Sequence, residues 1–201
     1  NDEQDDHSNR IVVGVDSLEI ADTWARIPYD TAIDLGGCGK GYLADQLADN
    51  IESKVLGYWL SLGGDLVAGG TNDKGENWQI DIQAARGKGN TNIGRVLIPS
   101  KNRYAVATSG TITRHGTKRG KPWHHIINPR TLLPAKTDVQ LATICDRSAL
   151  RADVLASCAV ILGSKSATTF LKRHGVKASL IQYQTSSKQP ESIHFGNAIR
   201  L

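Results

Sequence analysis

The feature that most constrains the fold is a series of short apolar segments separated by glycine and proline. Of the 201 residues, 20 are glycine and only 5% are aromatic, which favours strands joined by tight turns. Helical periodicity is confined to residues 40–54, 148–162 and 166–174. The strict strand–helix alternation of a Rossmann fold is absent. The sequence therefore predicts an α+β fold, with a mostly antiparallel sheet flanked by helices.

The length and the charge distribution of the chain predict a single domain. Residues 1–10 carry acidic side chains without a hydrophobic pattern, which is typical of a disordered start or a linker. Residues 11–201 contain no visible linker or repeat and suit one domain with one core. No apolar stretch is long enough to span a bilayer, so we expect no direct membrane span.

A mildly basic charge leaves several classes of ligand open. The formal net charge is +4, and lysine, arginine and histidine are concentrated in residues 114–125. A nucleic-acid groove would interleave aromatic side chains with these charges, and this segment contains only Trp123. We therefore expect a solvated loop and no nucleic-acid partner. The three cysteines are far apart in sequence, which argues against a zinc knuckle or a complete disulfide framework.

The first candidate site is the glycine-rich segment at residues 34–42. An apolar strand predicted at residues 31–35 leads into four glycines and then into a helix. Glycine lets the backbone approach a ligand closely, and a helix N-terminus presents unpaired N–H groups to an anion. Lys40 adds a positive charge, but Gly41 follows it where a Walker A loop has Ser or Thr. A tight turn without any ligand explains these residues equally well.

The second candidate is the pair Asp153 and Ser157. They are four residues apart in the helix predicted at residues 148–162, so their oxygens share one helical face. A carboxylate, a hydroxyl and a backbone carbonyl together form a suitable ligand set for magnesium. The helix dipole also favours an aspartate near a helix N-terminus when no metal is present. The residues alone leave both interpretations open.

Three further segments place polar groups at turns. In residues 124–130, His125 is a candidate base or hydrogen-bond donor, and Arg130 is a candidate phosphate ligand. Residues 62–65 and 107–110 are glycine-containing turns at strand ends. Most turns of this kind only join strands, and a strand end with a solvated histidine pair is common.

Taken in order, these motifs resemble the FAD:protein FMN transferases of the ApbE type. The matching segments are residues 34–42, 61–65, 107–110, 125–131 and 152–157, and they cover nearly all of the chain beyond residue 30. The resemblance implies an Mg²⁺-dependent transfer of FMN from FAD to a Thr or Ser of an acceptor flavoprotein, with release of AMP. Two alternatives stay open: an FAD pyrophosphatase that uses water as the acceptor, and a flavin-binding module whose chemistry has decayed.

The resemblance also implies roles for individual residues. The implied metal ligands are Asp153, Ser157 and the backbone carbonyl of Gly39. His125 would assist deprotonation of the acceptor, while Lys40 and Arg130 would stabilise the phosphates. The implied FAD-binding residues are Gly36, Gly37, Lys40, Tyr42, Gly63, Gly64, Asp65, Thr108, Ser109, Gly110 and Arg130.

Four positions depart from the family pattern. Ser157 replaces Thr and Gly39 replaces Ala, and both substitutions keep the implied metal-binding oxygen. Asn128 replaces Asp, which removes a charge, and Leu132 replaces Gly, which changes the turn. We also expect the chain to lack much of the N-terminal segment that closes one wall of the flavin pocket in the family. Many relatives work outside the cytoplasm, so the resemblance implies an extracytoplasmic or periplasmic protein, tethered or free, although cytoplasmic members exist.

Overall fold

The computed structural model describes residues 14–85, 91–187, 190–197 and 199–200. The helices are α1 (Gly39–Ile51), α2 (Ala149–Leu162) and α3 (Ser164–Arg173). The strands are β1 (Glu19–Ala21), β2 (Trp24–Arg26), β3 (Gly57–Leu62), β4 (Asp65–Gly70), β5 (Trp78–Gln83), β6 (Asn92–Ile98), β7 (Tyr104–Gly110), β8 (His115–Lys118), β9 (Lys121–His124), β10 (Ile127–Asn128), β11 (Leu133–Pro134), β12 (Val139–Asp146), β13 (Ala178–Gln184), β14 (Pro190–Phe195) and β15 (Ile199–Arg200). The linker predicted at residues 1–10 lies outside the described residues.

A six-stranded antiparallel sheet forms the centre of the structure. Its strand order is β14-β13-β12-β7-β4-β3. Helices α1, α2 and α3 cover one face, and a smaller sheet of order β15-β6-β5 packs against the other. The predicted α+β fold with a mostly antiparallel sheet flanked by helices is therefore confirmed.

Side chains alternate between the two faces of the central sheet. On β7, Ala105 and Ala107 belong to the core under the helices, whereas Val106 belongs to the core under the smaller sheet. Helix α2 places Ala152 and Ala156 in the first of these cores. This alternation decides which polar residues of β7 reach the helices, because neighbouring positions on a strand point to opposite faces.

Helix α1 packs through its small residues. Its buried residues are Gly41, Ala44 and Ala48. The sequence indicates an apolar stripe of Leu43, Leu47 and Ile51, but Leu43 and Leu47 are 47% and 39% exposed. The reason is the close approach of α2, since a Cβ on Gly41 would lie 2.5 Å from the carbonyl oxygen of Ala149. Only small side chains fit at such an interface.

The local predictions hold for the helices but not for every strand, since residues 111–114 as well as residues 31–35 form no strand. Helices α2 and α3 confirm the two predicted C-terminal helices, and the Ser148 side chain caps α2 by accepting a hydrogen bond from the Arg151 N–H. The strand predicted at residues 31–35 is wrong, since this segment has no regular secondary structure. Ile33 and Leu35 are 56% and 62% exposed, so this apolar run has no sheet against which to pack. None of the described helices is both long enough and apolar enough to cross a membrane.

Candidate functional site

Lys40, Asp65 and Asp153 meet where α1, β4 and α2 come together, and we call these three residues the Lys–Asp cluster. The Lys40 ammonium donates a hydrogen bond to Asp65, and its Nζ lies 3.8 Å from Oδ2 of Asp153. Asp65 and Asp153 are only 2% and 3% exposed. The side chain of Lys40 is 43% exposed. Three motifs that are distant in sequence thus contribute to one charged group.

Two buried carboxylates share one cation in this cluster. Burial raises the pKa of Asp65 above its usual value, and the nearby Asp153 raises it as well, while the hydrogen bond from Lys40 opposes both. Oδ2 of Asp153 is buried and has no hydrogen-bond partner among the described residues. Lys40 is 3.8 Å away and the buried oxygen accepts no hydrogen bond, so this oxygen marks a position suited to a closer cation.

A two-glycine turn positions Asp65 beside Lys40. Gly63 and Gly64 connect β3 to β4 with φ angles of 59° and 98°, in the left-handed region that glycine adopts without steric cost. Leu62 pairs directly with Asp65 across the turn. A Cβ on Gly63 would lie 3.2 Å from Cδ of Lys40, so the absent side chain leaves room for the lysine.

The N-terminus of α2 is fixed to α1 by Asp45. This carboxylate accepts the backbone N–H groups of Ala149 at 2.9 Å and Leu150 at 3.0 Å, and the Ser148 hydroxyl at 2.7 Å. Arg103 donates to the same carboxylate at 2.5 Å. Burial alone would raise the pKa of Asp45, but these hydrogen bonds outweigh it and hold the pKa below its usual value.

The sequence motifs do not point to Asp45 as part of the site. The sequence feature that could have identified Asp45 is its position next to Ala44, on the face of α1 whose small residues contact α2. A partly buried carboxylate on that face needs donors, and the free N–H groups of a neighbouring helix N-terminus supply them. Asp45 therefore holds α2, and with it Asp153, in place against α1.

Ser157 and Ser109 extend the site along α2. Ser157 lies one helical turn after Asp153, and its hydroxyl is 2.9 Å from the hydroxyl of Ser109 on β7. Thr108, the neighbour of Ser109, bonds instead to the Thr143 hydroxyl at 2.9 Å. Strand alternation places Thr108 on the side of the smaller sheet, away from the Lys–Asp cluster. Ser109, but not Thr108, therefore lies on the face of the sheet that α2 covers, and α2 carries Asp153.

The glycine-rich loop surrounds the start of α1. Gly39 is the first residue of α1 and directly precedes Lys40. The Gly36 N–H donates to Oδ1 of Asp34 at 2.7 Å, and no atom lies within 4 Å of a Cβ built on Gly37. Tyr42 is 55% exposed. This backbone is open to a ligand close to Lys40.

A cavity of about 1130 Å³ lies beyond the end of β7. The β8–β9 hairpin, β11 and the first residues of β12 form its wall. Thr111 and Gln140 line it, and the Thr111 N–H donates to the Gln140 carbonyl at 3.0 Å. A Cβ on Gly110 would lie 2.3 Å from that carbonyl oxygen, so glycine is required where β7 and β12 approach the cavity. The cavity is slightly larger than the usual range for ligand sites, roughly 300–1,000 Å³.

His125 and Arg130 lie apart from the Lys–Asp cluster and are exposed. Nδ1 of His125 is 3.3 Å from the Arg114 carbonyl oxygen. A carbonyl can only accept, so Nδ1 carries the proton and Nε2 is left as an acceptor. The Arg130 N–H donates to Oδ1 of Asn128 at 2.9 Å in the turn between β10 and β11. Across the described part of the chain, no hydrogen bond or ion pair joins either side chain to the cluster.

The described residues contain no group of three or more His, Cys, Asp or Glu side chains that could hold a metal ion. The Lys–Asp cluster offers two carboxylates. A metal ion there would depend on neutral oxygens for its other ligands, as magnesium commonly does.

Known proteins resemble this chain in sequence and in fold. The model of the ApbE family matches residues 2–180. An FAD:protein FMN transferase of Salmonella typhimurium is 31% identical over 153 residues, which are 76% of this chain and 43% of that protein. This chain therefore spans less than half the length of that relative.

Solved structures with the ApbE name share the fold. The apbe protein of Thermotoga maritima superposes with a TM-score of 0.74 at 26% identity, over 90% of this chain and 58% of that one. The apo form of the Pseudomonas stutzeri flavinyl transferase ApbE gives a TM-score of 0.74 at 22% identity, over 91% and 55% of the two chains.

Proposed function

The chain belongs to the ApbE family, and on this premise we propose that it transfers FMN from FAD to a hydroxyl group of an acceptor flavoprotein and releases AMP. The observation that carries the proposal is the buried Oδ2 of Asp153, which accepts no hydrogen bond and lies 3.8 Å from Nζ of Lys40. Such an oxygen suits a cation that also binds a pyrophosphate. The cavity beyond β7 has the volume for a dinucleotide, and Lys40 and Asp153 are not part of its wall.

Magnesium is the cation that we propose for Asp153. The Ser157 hydroxyl and the Gly39 carbonyl are the neutral oxygens proposed to complete the protein ligands, and magnesium keeps water and phosphate oxygens at its other positions. The residues fit a magnesium ion because the carboxylate of Asp153 is almost fully buried and its Oδ2 accepts no hydrogen bond. A bound magnesium ion would neutralise the charge that develops on the pyrophosphate.

The phosphates and the flavin use residues around the cluster. We propose that Lys40 and Arg130 bind phosphate oxygens, because lysine supplies a point charge and arginine a bidentate donor. The open backbone at Gly36 and Gly37 lies at the N-terminus of α1, which favours an anion. The Gly63–Gly64 turn and Ser109 would complete the contacts near Asp65.

The proposed reaction is a displacement at phosphorus. The hydroxyl oxygen of an acceptor Thr or Ser attacks the phosphorus of the FMN half, and the bond from that phosphorus to the bridging oxygen breaks. AMP leaves with the bridging oxygen. His125 would take the proton of the attacking hydroxyl on Nε2, since its Nδ1 is already protonated. The exposure of His125 suits a base that meets a partner protein.

The experiment combines AMP release with detection of protein-bound FMN. The chain is incubated with FAD, magnesium and a candidate acceptor flavoprotein domain, in parallel with Asp153→Asn and with the exposed control Asp49→Asn. The proposal expects both products from the wild type and from Asp49→Asn, and neither from Asp153→Asn. AMP without bound FMN would favour the FAD pyrophosphatase. Bound FAD without AMP would favour a flavin-binding module without chemistry.

The cellular location belongs to the same proposal. The resemblance implies an extracytoplasmic or periplasmic protein, and fractionation of source cells followed by immunodetection of the chain would test it. Detection of the chain in the cytoplasmic fraction alone would contradict this part.

A further inference from the structure

We propose that Lys40 takes the place of the metal ion when the site is empty, and that metal binding at Asp153 releases Lys40 toward the pyrophosphate of FAD. This inference rests on the proposed function and concerns the order in which its charges assemble. Lys40 would first pair with the carboxylates of Asp65 and Asp153, and after metal binding it would pair with the pyrophosphate of FAD.

Lys40 is the cation that offsets the two carboxylates of the Lys–Asp cluster. Among the described residues, its Nζ is the only cation within ion-pair distance of Asp65 or Asp153. Both side chains are at least 95% buried. Without Lys40 or a substitute cation, two negative charges would lie unpaired in a region of low dielectric.

Lys40 and a metal ion would compete for the same oxygen. Oδ2 of Asp153 is 3.8 Å from Nζ of Lys40, whereas magnesium binds oxygen at about 2.0–2.1 Å. Oδ2 is enclosed by the protein, and the partly exposed Lys40 is the cation beside it. An ion entering there would come too close to the ammonium group for two positive charges to coexist.

The Lys40 side chain has space to move away from the two carboxylates. Its side chain is 43% exposed, and a lysine stem has four flexible carbons. The missing side chain at Gly63 leaves the space beside Cδ open. Lys40 is also the second residue of α1, whose N-terminal N–H groups attract anions. The released ammonium and the helix N-terminus could therefore bind one phosphate group together.

The first test measures the reactivity of the Lys40 amine in the wild-type chain. The protein is labelled with trace acetic anhydride, with and without saturating Mn²⁺ and without FAD, and peptides are quantified by mass spectrometry. We expect Mn²⁺ to raise Lys40 labelling several-fold and to leave the exposed Lys54 unchanged. Addition of FAD to the metal-bound protein should then protect Lys40 again. In Asp153→Asn, Mn²⁺ should have no effect on Lys40.

The second test removes the competing charge. Lys40→Met keeps the length of the stem but lacks the ammonium group, and Lys40→Arg is the matched variant that keeps the charge. Titration with Mn²⁺, followed by electron paramagnetic resonance, should show several-fold tighter binding to Lys40→Met than to the wild type or Lys40→Arg. Metal-free Lys40→Met should unfold at a lower temperature, and the metal should raise that temperature more than in the wild type.

The outcomes separate this inference from the proposed function. Mn²⁺ binding without any change in Lys40 labelling would overturn the exchange and leave the proposed function intact. Binding to Lys40→Met that is no tighter than to the wild type would do the same. A wild-type chain that binds no metal, with or without FAD, would overturn both. If Lys40→Met does not fold, the labelling of Lys40 in the wild type still tests whether the metal displaces Lys40.

Discussion

Asp45 on α1 accepts a hydrogen bond of 2.7 Å from the hydroxyl of Ser148, the residue that caps α2. The same carboxylate also accepts the first N–H groups of α2, which have no partner within their own helix. One side chain of α1 thus accepts hydrogen bonds from the first N–H groups of α2, the helix that carries Asp153. The stability of the fold and the geometry of the candidate metal site are linked through this contact.

Replacing Asp45 with Asn should destabilise the protein. Asn keeps the size of the side chain but loses the charge-assisted bonds to the α2 N-terminus and to Arg103, so we expect the free energy of unfolding to fall by about 2 kcal/mol. Urea denaturation followed by circular dichroism measures it. The control Asp49→Asn removes a 57% exposed partner of the same arginine and should cost less than about 0.5 kcal/mol. Equal losses in both variants would contradict the capping role.

The contribution of Asp45 should disappear in acid. Its pKa is lowered in the folded protein, so the stability that it contributes is fully present above the pKa of the unfolded chain, about 3.9 for Asp. That stability is lost as the pH falls through the folded pKa. The difference in unfolding free energy between the wild type and Asp45→Asn should therefore be constant at neutral pH and shrink below about pH 4. Urea midpoints at several pH values give this difference, and a gap that widens in acid would refute the argument.

Replacing Gly41 with Ala should also destabilise the protein, although alanine favours helices. The added Cβ would lie 2.5 Å from the Ala149 carbonyl oxygen, a backbone atom that cannot move without separating α1 from α2. Overpacking of this kind costs about 1–3 kcal/mol, which outweighs the gain in helix propensity of about 1 kcal/mol. Thermal unfolding should show a lower midpoint.

The matched control is Gly37→Ala, because no atom lies within 4 Å of a Cβ at that position. We expect its unfolding midpoint to equal that of the wild type. If the Gly37 backbone contacts FAD as proposed, this variant should instead weaken FAD binding, which quenching of flavin fluorescence can measure. A destabilised Gly37→Ala would show that glycine is needed there for the fold.

Local sequence patterns predicted the helices and most strands, because periodicity depends on nearby residues. Helix α2 has an apolar pattern, a capping Ser148 and a terminal Gly163, and its predicted position is confirmed. The segment at residues 31–35 has an equally apolar pattern but is not a strand, because a strand also needs a partner to bond with. That partner is a property of the tertiary structure.

Which residues meet at the candidate site is harder to predict from the sequence than the motifs themselves. Lys40 and Asp65 are separated by 25 residues, and only the β3–β4 turn brings them together. The different faces of Thr108 and Ser109 could have been inferred from strand alternation once β7 was assigned. The hydrogen bonds of Asp45 with α2 could not be inferred from the sequence, because they depend on how α1 packs against α2.

The two neighbouring hydroxyls of β7 should therefore respond differently to mutation. Thr108→Val leaves the buried Thr143 hydroxyl without its partner, so it should lower the free energy of unfolding by about 1–3 kcal/mol and leave metal affinity unchanged. Ser109→Ala removes the partner that orients the Ser157 hydroxyl, so it should weaken Mn²⁺ binding several-fold with little loss of stability. Urea denaturation and Mn²⁺ titration of both variants make the comparison. Weaker metal binding in Thr108→Val, with normal binding in Ser109→Ala, would place the metal on the other side of the sheet.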